Sequence, residues 1–355
     1  MKFSVGYQLP DEHDSISQIV ADYHEQISDV YFALPGAASG RMPLGLVEGV
    51  EPEVLRAVQE EELLAMKALG VKLTLLYNAN CYGDAAISAD FAREIEQTVS
   101  ALKTRLDLDT VTTTSPFVAH IIKSRGLPVE VRASVNMRIG TLQALEQLSA
   151  TFDSYYLQRD FNRDLERVGA ASRWCRERGK GLHLLANSGC LRFCAFQTYH
   201  DNLVAHEAGV SARDNLRQKY PSPCWQYLED LGEAAAAAII LQATWIRPDD
   251  IHHYEGLVDE MKLATRLQAN PRRVISAYCR GRFRGNLFDL TEPSYAGLFR
   301  NKLLDATRIP ADWFEQTTQC DKQCQPCRYC QDVARQALIS FADLERSLRS
   351  WHQAT

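Results

Sequence analysis

Apolar, β-branched runs alternate with amphipathic stretches along this chain, and that alternation narrows its fold more than any other feature. KFSVGYQ, DVYFALP, KLTLLYNA, DTVTTTS, VEVRASVN and SYYLQRD each precede a segment of helical periodicity, and LHLLANS leads into a cysteine cluster. A later pair, ATWIRP and MKLATR, brackets the helix-like DDIHHYEGLVDE. The helices carry their own punctuation: Gly70 ends PEVLRAVQEEELLAMKAL, Ser88 or Asp90 caps DFAREIEQTVSALKTRL, and Pro116 opens PFVAHIIKSRG. Strand, helix, strand repeated about eight times means parallel strands joined by crossover helices. Right-handed crossovers yield an open doubly wound sheet or a closed barrel. No GxGxxG follows the first strand, and polar residues recur at the strand ends. The expected fold is therefore an α/β protein of the (β/α)8 TIM-like barrel class, with its chemistry on the C-terminal rim.

The barrel is expected over residues 1–310. A cysteine-rich tail and a terminal helix, ARQALISFADLERSLRSW, would fill 311–355. At 46% hydrophobic and 24% charged residues, composition is that of a globular chain. The net charge of −6 disfavours a nucleic-acid partner, because no broad basic field is available for phosphates. No apolar run approaches the roughly 20 residues of a membrane span. The stretch Ala234–Leu241 is short and alanine-rich, as in a buried helix, and MKFSVGYQLPDEHDS lacks the apolar core of a secretory signal. These features point to a cytoplasmic protein.

A reducing compartment makes the ten cysteines informative, since clustered thiols there bind metal more often than they form disulfides. Cys190 and Cys194 form a CxxxC pair after the seventh strand, with Cys224 as a third candidate ligand. Cys320, Cys324, Cys327 and Cys330 form CDKQCQPCRYC, interleaved with charged and amide residues that no core would hold. Zinc and a [4Fe–4S] cluster both accept four thiolates, so either metal suits the tail. The first three tail cysteines have radical-SAM spacing, but near the C-terminus rather than after the first strand, and that reading is rejected.

Other candidates lie at strand ends. In QRDFNRDL, Arg159, Asp160, Asn162 and Arg163 crowd the end of strand six. Two arginines on a rim suit an anionic substrate, because Arg grips carboxylates bidentately. The alternative is a structural Arg–Asp pair. Asn78, Asn136, Arg138 and Asn187 recur at equivalent positions as candidate cofactor contacts, and His200 follows the CxxxC pair. A histidine can complete a mixed cluster, although a lone one is more often structural. P-loop, HExxH and GxSxG motifs are absent.

LHLLANSGCLRFC resembles the cysteine-bearing signature of the peptidase U32 family. YEGLVDEMKLATR resembles that family's later leucine-rich helix and "KIEGR" strand, with Lys262 and Arg266 in the matching places. NPRRVISAYCRG resembles the helix that continues it. The resemblance spans residues 1–285 and is specific from Gly181 onward. It implies a barrel with Cys190 and Cys194 as ligands of a [4Fe–4S] cluster and Cys224 as a third. It also implies kinship with the oxygen-independent hydroxylation branch: subunits of anaerobic ubiquinone biosynthesis and RNA-hydroxylating proteins, for which prephenate is a possible oxygen source. The chain departs from the pattern at Ala195 and Phe196. Where some members have a fourth cysteine, it offers Asp250, His252 and His253.

The expectation is thus an iron–sulfur barrel enzyme with one or two clusters. It would carry out or support redox modification of a small anionic or aromatic metabolite, with Arg159, Arg163 and Arg266 holding carboxylates. The alternatives are a U32-type peptidase, which needs an activated nucleophile or metal-bound water, an RNA-hydroxylating enzyme, and a non-catalytic subunit paired with a related barrel.

Overall fold

A computed structural model describes residues 1–10, 14–40, 51–211, 213–216, 219–220 and 222–345. Eight strands close into a parallel barrel: β1 (Phe3–Gly6), β2 (Ile27–Phe32), β3 (Lys72–Tyr77), β4 (Thr110–Thr113), β5 (Glu130–Ala133), β6 (Ser154–Tyr156), β7 (Gly181–Leu185) and β8 (Glu260–Lys262). Each pairs with its successor, and β8 returns to β1 through Phe3–Met261 and Ser4–Lys262. The strands read as continuous apolar runs because both of their faces are buried.

The crossovers carry α1 (Ile16–Asp22), α2 (Pro52–Ala68), α3 (Ala89–Leu106), α4 (Pro116–Ser124), α5 (Leu142–Leu148) and α6 (Leu165–Glu177). Their starts follow the sequence signals. Ser88 accepts from the Phe91 amide and Ser115 from that of Val118, each satisfying one orphan N–H of a first turn. A longer excursion separates β7 from β8: α7 (Gln197–Ala205), α8 (Glu207–Ser211), α9 (Pro223–Leu231) and α10 (Glu233–Gln242). After β8 come α11 (Pro271–Cys279), β9 (Lys302–Leu304), α12 (Trp313–Gln319), α13 (Tyr329–Ala337) and β10 (Leu338–Ser340), with β9 and β10 antiparallel. Helix α13 packs on α10, which ties the tail to the β7–β8 excursion. Among the described residues, no helix is long and apolar enough to cross a membrane.

Three local expectations are corrected. ATWIRP is not a strand. The carbonyls of Trp245 and Ile246 accept from the Arg163 guanidinium and the Tyr278 hydroxyl, so side chains replace a ladder there. DDIHHYEGLVDE is not an α-helix but a 3-10 segment over Pro248–Tyr254, followed by the turn into β8. The terminal helix breaks after Ala337, because Leu338–Ser340 pairs with β9; its last part, from residue 346, lies outside the described residues.

The barrel interior is polar at its floor. Asp29 accepts from Ser4 and Thr74, each at 2.7 Å, and Arg132 meets Glu260 at 2.8 Å and Asp29 at 3.5 Å. His183 completes the layer, 3.4 Å from Glu260. Above it lie Tyr31, Tyr156 and Lys262, with the lysine ammonium 3.6 Å from the Tyr31 ring centroid.

Candidate functional site at the C-terminal rim

The loop after β7 organises the rim. Gly189 donates to the Glu292 carbonyl at 2.9 Å, and Ser188 bridges to Glu292, so the chain around Glu292, just after a 3-10 turn over Leu287–Leu290, lies alongside the loop like a short extra strand. A Cβ on Gly189 would stand 2.2 Å from the Pro293 carbonyl oxygen, so only glycine lets the backbones approach this closely. Phe193 adopts a left-handed conformation (φ 48°), and its amide donates to Asp160. The chain therefore turns sharply between Cys190 and Cys194.

That turn, α9 and the 291–295 segment bring three cysteines together. The Tyr295 hydroxyl hydrogen-bonds Cys224 and lies within electrostatic reach of Cys190 and Cys194; burial, then the thiols, push its ionisation up. Burial also raises the Cys194 thiol, opposed by the Phe196 amide and by Arg159. Cys190 and Cys224 line a cavity of about 440 Å³ with His200, Glu207, Trp225 and Glu292. A larger groove, about 570 Å³, lies on the helical surface among Arg56, Glu60, Glu94 and Arg105 and contains no cysteine.

The strand-six residues divide sharply. Arg159 is buried, and its Nε and Nη2 have no hydrogen-bond partner. Its charge faces Cys194. Asp160 is occupied by the Phe193 amide and by Gln158 Nε2 at 2.9 Å. Asn162 donates to the Leu185 carbonyl at 2.9 Å, tying β6 to β7. Arg163 donates to the Leu241 and Trp245 carbonyls at 3.0 and 2.8 Å and sits over the Trp313 ring at 5.2 Å. The structure thus makes Arg163 part of the wall, and of the two strand-six arginines Arg159 is the one with buried, unsatisfied donors.

The remaining candidates fall into place around them. Arg266 packs its stem over Gly6 and donates to Ser39 at 3.3 Å, sharing the rim with Tyr31 and Glu292. Asn78 accepts from the Gly40 amide at 3.0 Å, and the Asn136 amide approaches the same glycine. Arg138 reaches α7 through Thr198 and Asp201, at 3.0 and 3.1 Å. Asn187 donates to the Ala264 and Leu290 carbonyls and accepts from the Ala264 amide, a fully buried tie between the ends of β7 and β8 and the 288–294 segment.

The tail cysteines line a separate cavity of about 110 Å³ on the same side. Arg192, from inside the CxxxC turn, donates to the Lys322 carbonyl at 3.4 Å and reaches Cys324. All ten cysteines are free thiols. Among the described residues, no three His, Cys, Asp or Glu side chains meet at the separation a single metal ion requires.

Sequence reasoning missed Arg192, Tyr295, Glu207 and Glu292. Arg192 carried a signal, being a charged residue between two cysteines in a turn. The other three did not, since their importance comes from segments distant in the chain. The floor residues Asp29, Arg132, His183 and Glu260 were also missed, although charged residues inside apolar strand runs mark them.

Fold and rim together define a (β/α)8 barrel protein with a cysteine-bearing loop after its seventh strand. No protein-family model matches the chain. Over 286 residues it is 28% identical to the uncharacterized protease MJ1657 of Methanocaldococcus jannaschii, covering 77% of this chain and 79% of that protein. Its fold is similar to that of the U32 peptidase Mk0906, with a TM-score of 0.52 and 16% identity over 74% of this chain and 92% of that one. The first likeness is one of sequence over most of both chains, and the second is one of barrel fold.

Proposed function

We propose that this chain is a U32-type iron–sulfur barrel enzyme that carries out or supports oxygen-independent hydroxylation, or another redox modification, of a small anionic or aromatic metabolite. The observation behind this reading is the gathering of Cys190, Cys194 and Cys224 around the Tyr295 hydroxyl at a rim cavity. The donor set fits the group: three thiolates can hold a [4Fe–4S] cluster and leave one iron for a non-cysteine ligand or substrate. When bound, such a cluster supplies one-electron chemistry or an open Lewis-acidic iron. The chain's own residues bind and orient. Arg159 offers unpaired donors beside Cys194, and Arg266 brings a second positive charge to the rim. Trp225 and Leu267 give the cavity an apolar wall suited to a ring.

A second reading, a U32-type peptidase, is favoured by the peptidase and protease names of the similar proteins and by Cys190 and His200 lining one cavity. Anaerobic purification with iron and sulfide analysis separates the two. The iron–sulfur reading expects Cys190→Ala to lose the rim cluster's share of the iron and of the visible absorption that dithionite bleaches. Metal-free protein that hydrolyses peptides and is stopped by thiol alkylation would put the peptidase in its place.

A further inference from the structure

We propose that Cys320, Cys324, Cys327 and Cys330 form a second, separate metal centre, a four-thiolate iron–sulfur cluster held against the barrel rim by Arg192. The inference rests on the frame around these cysteines and is independent of the rim site's chemistry. Both ends of their loop are anchored. On one side α12 buries Trp313, which stacks on Tyr329 at 5.8 Å and under the Arg163 guanidinium. On the other side α13 begins at Tyr329, carries Cys330 in its first turn, and buries Val333, Ala334 and Ala337.

Between these anchors the chain reverses at Lys322, a left-handed residue (φ 62°). The Lys322 ammonium donates to the Thr317, Thr318 and Cys320 carbonyls at 2.8, 3.0 and 2.8 Å, closing the end of α12. The four cysteines therefore sit on a turn fixed by packing and hydrogen bonds, around one cavity. A packing role does not explain them, since Cys320 and Cys327 are exposed and all four are unbridged.

The spacing of the cysteines around this cavity of about 110 Å³ favours a cluster over a single ion. Structural zinc sites usually draw cysteine pairs from across an intervening segment. Dense, uninterrupted cysteine runs are instead a mark of cubane-binding sequences, and this one differs from the ferredoxin run in the order of its spacings, C-x3-C-x2-C-x2-C. Four thiolates around such a core leave net negative charge, and guanidinium groups stand where it would fall: Arg192 at Cys324 and Arg163 near Cys330. Arg192 also belongs to the Cys190–Cys194 turn, so one loop contacts both cysteine groups.

The test compares three full-length proteins purified anaerobically and reconstituted with ferrous iron and sulfide: unaltered, C190A/C194A and C324A/C327A. Iron, sulfide and zinc are counted, and electron paramagnetic resonance is recorded after dithionite reduction. C190A/C194A should retain about four irons per chain and a reduced-cluster signal, and C324A/C327A should lose that share with an unchanged circular dichroism spectrum. C327A alone, at an exposed position, should change the signal even if the double variant misfolds. Iron absent from C190A/C194A, iron unchanged in C324A/C327A, or one zinc per chain in place of tail iron would each overturn the proposal. If only the rim reading fails, unaltered protein and C190A/C194A hold equal iron and the tail result still stands.

Discussion

Arg159 and Arg163 are four positions apart on one strand end, yet they meet opposite demands. A buried guanidinium with unmet donors costs stability, whereas one bonded to carbonyls pins the backbone it touches. Arg163→Ala would orphan the Leu241 and Trp245 carbonyls and remove the cation over the Trp313 ring. We expect it to lower unfolding free energy by about 2–5 kcal/mol, measured by urea denaturation. Arg159→Met removes a charge whose Nε and Nη2 bond nothing. It should leave stability equal or higher while weakening binding of carboxylated ligands at least tenfold, measured by calorimetry. A strongly destabilised Arg159→Met with intact ligand binding would make Arg159 structural. In sequence the two arginines are indistinguishable, because what separates them is supplied by α10, Trp245 and Cys194.

The element that shapes the rim is the loop after β7 with its companion segment 288–294. Its tightest contact is at Gly189, where an added Cβ meets the Pro293 carbonyl, part of rigid backbone. Gly189→Ala should cost about 1–3 kcal/mol, as overpacking typically does. It should also push Cys190 and Tyr295 apart. Thermal unfolding checks the first effect, and iron retention after anaerobic reconstitution checks the second. A variant with full iron content and an unchanged melting temperature would show that the two segments can separate without harm. The cysteine loop was legible as a motif, but its partner was not, since a bridge between Ser188 and Glu292 leaves no local pattern in either segment.

At the scale of the whole molecule, barrel closure buries an ionic layer that joins β1, β2, β3, β5, β7 and β8. His183 lies within it, against the Tyr156 ring at 5.2 Å. Burial, followed by the charges of Arg132, Lys72 and Lys262, holds its pKa well below the ordinary 6.5. His253, stacked on Phe314, is lowered in the same direction by burial and by His252. A base whose folded pKa is depressed stays neutral in the native state but takes up a proton when unfolded. Its stabilising contribution is therefore present above the unfolded value near 6.5 and is lost as pH falls below it. Unfolding free energy should drop between about pH 6.5 and 5, with His183 contributing on the order of 1.4 kcal/mol per pH unit. His183→Gln should flatten that slope in urea titrations at stepped pH. An unchanged slope would assign the acid loss elsewhere. Asp29 and Glu260 cannot produce it: burial raises both, and raised carboxylates favour the folded state as pH falls.

The barrel was readable from sequence because the information behind it is local. Alternating runs set strand and helix, Ser88, Ser115 and Gly70 set their ends, and chain handedness sets the crossovers. The two cysteine groups were readable for the same reason, as short motifs. Tertiary structure decided everything that depends on which distant segments become neighbours. It turned ATWIRP from strand to loop by giving its carbonyls side-chain donors. It broke the last helix by offering Leu338–Ser340 a partner strand. It spent Asn187 and Arg163 on backbone, left Arg159 with free donors, and brought Tyr295 to Cys224 and Arg192 to Cys324. A side chain's role at a rim is set by the hydrogen-bond partners and charges around it, and in a closed barrel those come from every strand, so no stretch of sequence contains them.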